Sequence, residues 1–254
     1  MKKILWQELC RSEFEAAVKA NAVVIIPVGA IEQHGNHLPV DTDASCCFSI
    51  AQRAAQAIDE FPVLVLPVIW TGYSTQHIGY PGTITLKFNT FVEVLTQVVA
   101  SVHETGFRKM LILNGHGGNK AIVAAMPTKL ATEEHVSTVI AYTWWLIPEI
   151  AEEMKIISEY DKGFIGHAGE LETSVQLYLH PELVDAGAAV WDRGVGGDPS
   201  TGTHQKGERL VNTAVHVIVQ KIRDFHSGRI EYSLRRFPKY VYEGQKTIDE
   251  VVQL

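Results

Sequence analysis

Short, continuously apolar runs alternate along the chain with longer segments of helical period. The apolar runs fall at 22–31, 62–70, 109–113 and 136–144. Their length and two-sided hydrophobicity are those of strands buried within a parallel sheet. The segments between and after them, 10–20, 43–59, 89–105, 120–133, 148–157, one ending before Pro181, and 205–226, carry helical patterns. Ser12 is expected to cap the first, with Glu13 and Glu15 early in it, and Thr42 or Asp43 the second. Phe91, Val94, Leu95 and Val98 form one inward stripe, and Leu210, Ala214, Val217 and Ile218 another. The alternation predicts an α/β fold in which helices cover both faces of one mostly parallel sheet. No repeat, low-complexity stretch or linker interrupts 1–254, which reads as a single domain. The 71–85 segment is long for a connection in a compact domain and is expected to be functional. The tail beyond Arg229, charged and aromatic, is expected over the surface or a neighbouring subunit.

Composition narrows the partners. A net charge of -7, a pI near 5.9 and the lack of a basic cluster argue against nucleic acid or an anionic membrane as the main partner; the expectation of a small-molecule substrate comes from the candidate chemistry and the resemblance given below. The apolar runs are too short for a transmembrane helix, and the N-terminus turns polar too early for a signal peptide. Cys10, Cys46 and Cys47 make no disulfide framework and read as reduced, packed thiols of a cytoplasmic protein.

The candidate chemistry gathers where strands end. The run Glu32-Gln33-His34-Gly35-Asn36-His37-Leu38-Pro39-Val40-Asp41-Thr42-Asp43 follows the first strand. Asn114-Gly115-His116-Gly117-Gly118-Asn119 follows the third, and His167-Ala168-Gly169-Glu170-Leu171-Glu172 lies beyond the fourth. In a parallel sheet such loops share the carboxyl edge, where ligands bind. Imidazoles with carboxylates suit Zn²⁺, Mn²⁺ or Fe²⁺. Two imidazoles and three carboxylates suffice for two ions when one carboxylate bridges. An ion pair about 3.5–4 Å apart acidifies a shared water and clamps a carbonyl oxygen, which is hydrolytic chemistry on an amide, imide or ester-like carbonyl. His167 or Glu170 could protonate a leaving nitrogen. Each cluster also has a plainer reading: His34 and His37 as loop histidines satisfied by backbone, and the glycine-rich run as a strand-to-helix turn or phosphate loop. Glu170 and Glu172 could be solvated first-turn acids, and His77 reads as structural.

These motifs, with Val28-Gly29-Ala30-Ile31 before the first, Pro81-Gly82-Thr83, Gly197-Asp198-Pro199 and Lys206-Gly207, resemble the creatininase (creatinine amidohydrolase) family over roughly residues 5–225. The resemblance implies a three-layer α/β/α sandwich, a homohexamer and two divalent ions per subunit. Glu32, Asp43 and His116 would hold one ion, and His34, Asp43 and Glu172 the other, with Asp43 bridging. His167 matches the family's catalytic histidine. Creatininase has a Tyr-Glu pair where this chain has Gly117-Gly118, so one carboxylate ligand is missing. It also closes a tryptophan over its substrate, whereas 158–166 holds only Tyr160 and Phe164 as aromatics. The expectation is an amidohydrolase that opens a small cyclic amide or formamide by a metal-bound hydroxide. Gly117 and Gly118 would help the oxyanion, and His167 and Glu170 would serve as acid–base candidates. The glycine version also resembles family members acting on a formamidopyrimidine, a peptide or cyclic polyol ketones. A catalytically silent metal-binding paralogue is the alternative from another class.

Overall fold

The computed structural model describes residues 2–160 and 162–230. Four strands, β1 (Val23–Val28), β2 (Val63–Val65), β3 (Lys109–Asn114) and β4 (Val139–Thr143), form one sheet in the order β2-β1-β3-β4. Every pairing is parallel, with Val23 opposite both Val63 and Lys109, and Met110 opposite Val139. The helices are α1 (Arg11–Lys19), α2 (Thr42–Gln56), α3 (Phe88–Glu104), α4 (Lys120–Glu133), α5 (Pro148–Ile157), α6 (Glu170–Leu179) and α7 (His204–His226).

Alternate strand residues point to opposite faces, and each face has its own core. Val23, Ile25, Val65, Leu111 and Leu113 pack with α2, α5, α6 and α7. Val24, Ile26, Met110 and Ile112 pack with α3 and α4, and Ala17 of α1 joins them. The three-layer α/β/α arrangement follows, because strands apolar on both sides need cover on both sides. Among the described residues no helix is long and apolar enough to cross a membrane.

Several boundaries differ from expectation. The second strand spans only Val63–Val65. Pro67 lacks an N–H for the ladder, and pairing resumes as a single bridge between Val28 and Ile69. Cys10, not Ser12, caps α1, with Glu13 accepting from the Cys10 N–H at 2.7 Å. Cys10 is exposed, whereas Cys46 and Cys47 are buried. Asp41 caps α2, placing Asp43 second in the helix. Of the third helix's expected stripe, Phe91 and Leu95 are buried, joined by Val99 and Val102 in place of Val94 and Val98. The tail expectation falls on 231–254, outside the described residues.

The strand order fixes where the site must be. From β1 the chain moves outward to β2, then returns to β3 on β1's other side. The carboxyl ends of β1 and β3 therefore flank the crevice where successive connections diverge, the favoured ligand position in such sheets.

Candidate metal centre

Five side chains converge on this crevice. Glu32 and His34 follow β1, Asp43 opens α2, His116 follows β3, and Glu172 lies in the first turn of α6. Glu32, His34, Asp43 and His116 are each at most 4 % exposed. The close approach of α2 to β3 depends on Gly115, whose Cβ would sit 2.5 Å from the Asp43 carbonyl oxygen.

The hydrogen bonds orient the imidazoles. His34 Nδ1 lies 3.0 Å from the Glu32 carbonyl oxygen and so donates to it. That turns Nε2 toward the carboxylates, 3.4 Å from Asp43 Oδ1 and 3.6 Å from Glu172 Oε2. His116 Nε2 donates to the Tyr73 carbonyl at 3.1 Å. Its Nδ1 faces Asp43 Oδ2 at 2.8 Å and Glu32 Oε1 at 3.3 Å. One nitrogen tied to a carbonyl and the other aimed at carboxylates is how ligating histidines are held. Asp43 thus presents one oxygen to each imidazole. Glu32 Oε2 and His34 Nε2 are buried without a hydrogen-bond partner. Orphaned buried polar atoms on two neighbouring members of the cluster fit a cation. Three overlapping triads, Glu32/His77/His167, His34/His167/Glu172 and Glu32/His34/Asp43, each place three potential ligand atoms within 4.8 Å of one another.

The electrostatics agree with that fit. Burial lowers the basicity of His34, but Asp43, Glu172 and Glu32 outweigh it and raise the pKa to about 9. Asp43 and Glu32 likewise overcome burial at His116 and raise it to about 10. Burial opposes ionisation of Asp43, yet His34 and His116 hold its carboxyl far below the usual range. Burial, with Asp43 and Glu32 nearby, pushes Glu172 up to about 8 against the pull of His34. The carboxylates hold imidazolium protons where a metal would compete for the same lone pairs.

His167 stands beside the cluster. Its Nε2 donates to the Gln33 carbonyl oxygen at 2.7 Å, and its Nδ1 lies 3.4 Å from Glu32 Oε1. Burial, with His34 and His77 alongside, lowers its pKa to about 3, so the ring is neutral. Backbone bonds to Gly196 in both directions, at 2.9 and 2.7 Å, fix it to the 192–203 loop. Gly117 and Gly118 line the same cavity, about 300 Å³ in volume, with Phe164 and Leu146 at its side.

Glu170 does not join the cluster. Its carboxylate accepts from Ser158 Oγ (2.8 Å), the Glu159 and Tyr160 N–H groups, and Lys206 Nζ (2.7 Å). These bonds outweigh burial and bring its pKa down to about 2. Two residues before Glu172 on a helix, it faces another direction, and the acid–base role expected of it is withdrawn. His37 also lies outside, bonded to Thr173 Oγ1 at 3.0 Å. His77, expected to be structural, instead lines the cavity, stacked on His167 at 4.1 Å. Gln33 touches both rings at 3.0 Å. The long 71–85 loop was the available signal for His77, whereas nothing in the sequence marked Gln33 beyond its neighbours.

Comparison with known proteins gives a coherent family. The creatininase profile, described as creatinine amidohydrolase, matches residues 7–222. The 3-dehydro-scyllo-inosose hydrolase of Thermotoga maritima is 33% identical over 185 residues, 71% of this chain but 58% of that protein's length. Creatinine amidohydrolase of Pseudomonas putida is 30% identical over 216 residues, 79% of each chain. A mycofactocin precursor peptide peptidase of Mycolicibacterium smegmatis is 28% identical over 232 residues, 82% of this chain and 87% of that one. A solved structure described as "Creatininase Mn" superposes with a TM-score of 0.75 at 26% identity, covering 88% of this chain and 98% of that one. A variant creatininase of "Zn-Zn type" superposes with a TM-score of 0.75 as well. Profile, relatives and fold agree with the strand-end motifs, and the chain belongs to the creatininase family.

Proposed function

We propose that this creatininase-family protein is a dinuclear-metal hydrolase that cleaves the carbon–nitrogen bond of a small cyclic amide or formamide. The observation that carries the reading is Asp43, whose two oxygens face His34 Nε2 at 3.4 Å and His116 Nδ1 at 2.8 Å. Glu32, Asp43 and His116 would hold one ion, and His34, Asp43 and Glu172 the second, drawn from Zn²⁺, Mn²⁺ or Fe²⁺. When bound, the pair would acidify a shared water and polarise the substrate carbonyl. His167 then moves the proton: its bare Nδ1 accepts it from the attacking water and returns it to the departing nitrogen. Gly117 and Gly118 precede α4, where backbone N–H groups lack intrahelical acceptors, and would donate to the developing oxyanion. A cavity of about 300 Å³ supports a small substrate.

A second reading, hydrolysis of a cyclic polyol ketone, is favoured by the 33% identity to the inosose hydrolase. Metal content per subunit on protein purified without chelator, followed by a panel of lactams, formamides and cyclic diketones, tests both. Two equivalents with amide turnover is the expected result. Turnover of diketones alone would install the second reading. One equivalent at most after Mn²⁺ or Zn²⁺ is offered, with no turnover, would leave a metal-binding paralogue.

A further inference from the structure

We propose, resting on the hydrolase reading, that His77 is a further catalytic residue: its Nε2–H donates to the carbonyl oxygen under attack, and Gln33 is the positioning residue that fixes it as a donor. The argument is a hydrogen count. Gln33 is 7 % exposed. Its amide oxygen accepts from the Gly35 N–H at 2.9 Å, which fixes the orientation of the amide. The amide nitrogen then faces the Gly194 carbonyl at 2.7 Å, His77 Nδ1 at 3.0 Å and His167 Nε2 at 3.0 Å. It has two hydrogens for these three neighbours. His167 Nε2 is 2.7 Å from the Gln33 carbonyl, which can only accept, so that nitrogen already carries a proton. The two amide hydrogens therefore go to Gly194 and to His77 Nδ1. His77 Nδ1 is an acceptor, and the single proton of its neutral ring sits on Nε2.

That proton points into the cavity. His77 Nε2 is 4.0 Å from Glu32 Oε1, beyond hydrogen-bond distance, and no other described residue takes it. The 3₁₀ turn Thr75–His77 and the stacking on His167 hold the ring in place. The nitrogens of His34 and His116 that face the carboxylates are those a metal would take in place of their protons, whereas His77 presents an N–H that no carboxylate accepts. Although its ring lies close enough to Glu32 and His167 to share an ion by distance, in this tautomer Nε2 carries the proton and the Nδ1 lone pair is engaged by Gln33. A fixed neutral donor aimed where negative charge develops stabilises the transition state more than the substrate.

The test uses metal-loaded enzyme and the His77→Ala, His77→Gln and Gln33→Leu variants. His77→Ala should keep the wild-type metal content while kcat falls about 10²–10³-fold with KM within a few-fold. His77→Gln, which retains an amide donor, should recover part of that loss. Solid-state ¹⁵N spectra of histidine-labelled protein should show a pyridine-type Nδ1 and a pyrrole-type Nε2 at His77, a preference lost in Gln33→Leu. Loss of a metal equivalent in His77→Ala, the opposite tautomer in the wild type, or undiminished kcat in His77→Ala would each overturn the assignment. An active wild type with undiminished His77→Ala overturns the His77 role alone. A wild type inactive on every substrate in the panel overturns the hydrolase reading and the catalytic role with it.

Discussion

At the scale of single residues, Glu172 and Glu170 show how strongly helix geometry sorts neighbouring acids. Both lie in the first turn of α6, yet Glu172 Oε2 reaches toward His34 at 3.6 Å while Glu170 is enclosed by Ser158 and Lys206. Glu172 is further held by the Ala168 N–H at 2.5 Å. That donor is presented by a non-glycine residue at φ 53, a conformation that costs energy and recurs at functional sites. Replacing Glu172 by Ala should abolish turnover and reduce bound metal from two equivalents to one or fewer while the circular dichroism stays native. Undiminished metal content would remove it from the ligand set. Gly118 is equally constrained: a Cβ there would strike the Tyr73 carbonyl oxygen and His116 Nε2. Gly118→Ala should destabilise the protein by about 1–3 kcal/mol, read from urea unfolding, and lower metal occupancy as His116 is displaced. The Tyr-Glu pair of creatininase therefore cannot be restored here by a point change. The motif histidines and acids were legible because their residue types are unusual at strand ends. The difference between Glu170 and Glu172 was not, because it depends on which way α6 is turned against α7.

At the scale of elements, α6 and α7 are bound tightly behind the site. A Cβ on Gly207 of α7 would overlap the Ser174 carbonyl of α6, so only glycine allows this approach. Lys206, the preceding residue, bonds Glu170 and Glu159 at 2.7 Å and the Thr201 carbonyl at 2.9 Å. This ties the start of α7 to the segment leading into His167. Lys206→Met leaves the buried Glu170 carboxylate without its cation and should cost about 3 kcal/mol. The loss should be alike in metal-free and metal-loaded protein by urea unfolding. A loss seen only with metal would place Lys206 in the centre itself. The Lys206-Gly207 pair was visible in the sequence as a motif, but its work, an ion pair and a helix contact, required the fold.

At the scale of the molecule, the cluster makes stability depend on pH and metal together. His34, His116 and Glu172 bind protons more tightly folded, at about 9, 10 and 8, than the ordinary values of about 6.5 for His and 4.3 for Glu. The folded state then holds more protons than the unfolded one above neutrality, so stability falls as pH rises. For the two histidines the contribution is complete below about 6.5 and is lost through about 9–10. In the presence of EDTA, the Tm of the metal-free protein should fall between pH 7 and 9. With Mn²⁺ the fall should vanish or reverse, because the ion replaces those protons and binds better once they leave. A Tm profile unchanged by metal would contradict the assignment of these side chains as ligands. By family resemblance the protein is proposed to assemble as a hexamer, which light scattering on the full chain would test.

The sequence alone determined the layered parallel fold, since strands apolar on both faces alternating with amphipathic helices leave little else to build. It also marked the chemistry as lying at strand ends. The second strand is shorter than its apolar run, because Pro67 ends the ladder without breaking the run. Only the tertiary structure decided which nitrogen of each imidazole faces the carboxylates, that Asp43 lies between two of them, that Glu170 is structural and that His77 enters the cavity. Those outcomes depend on distances between segments separated by tens of residues, and on which backbone carbonyl takes each ring's proton, and no local pattern of residues records either.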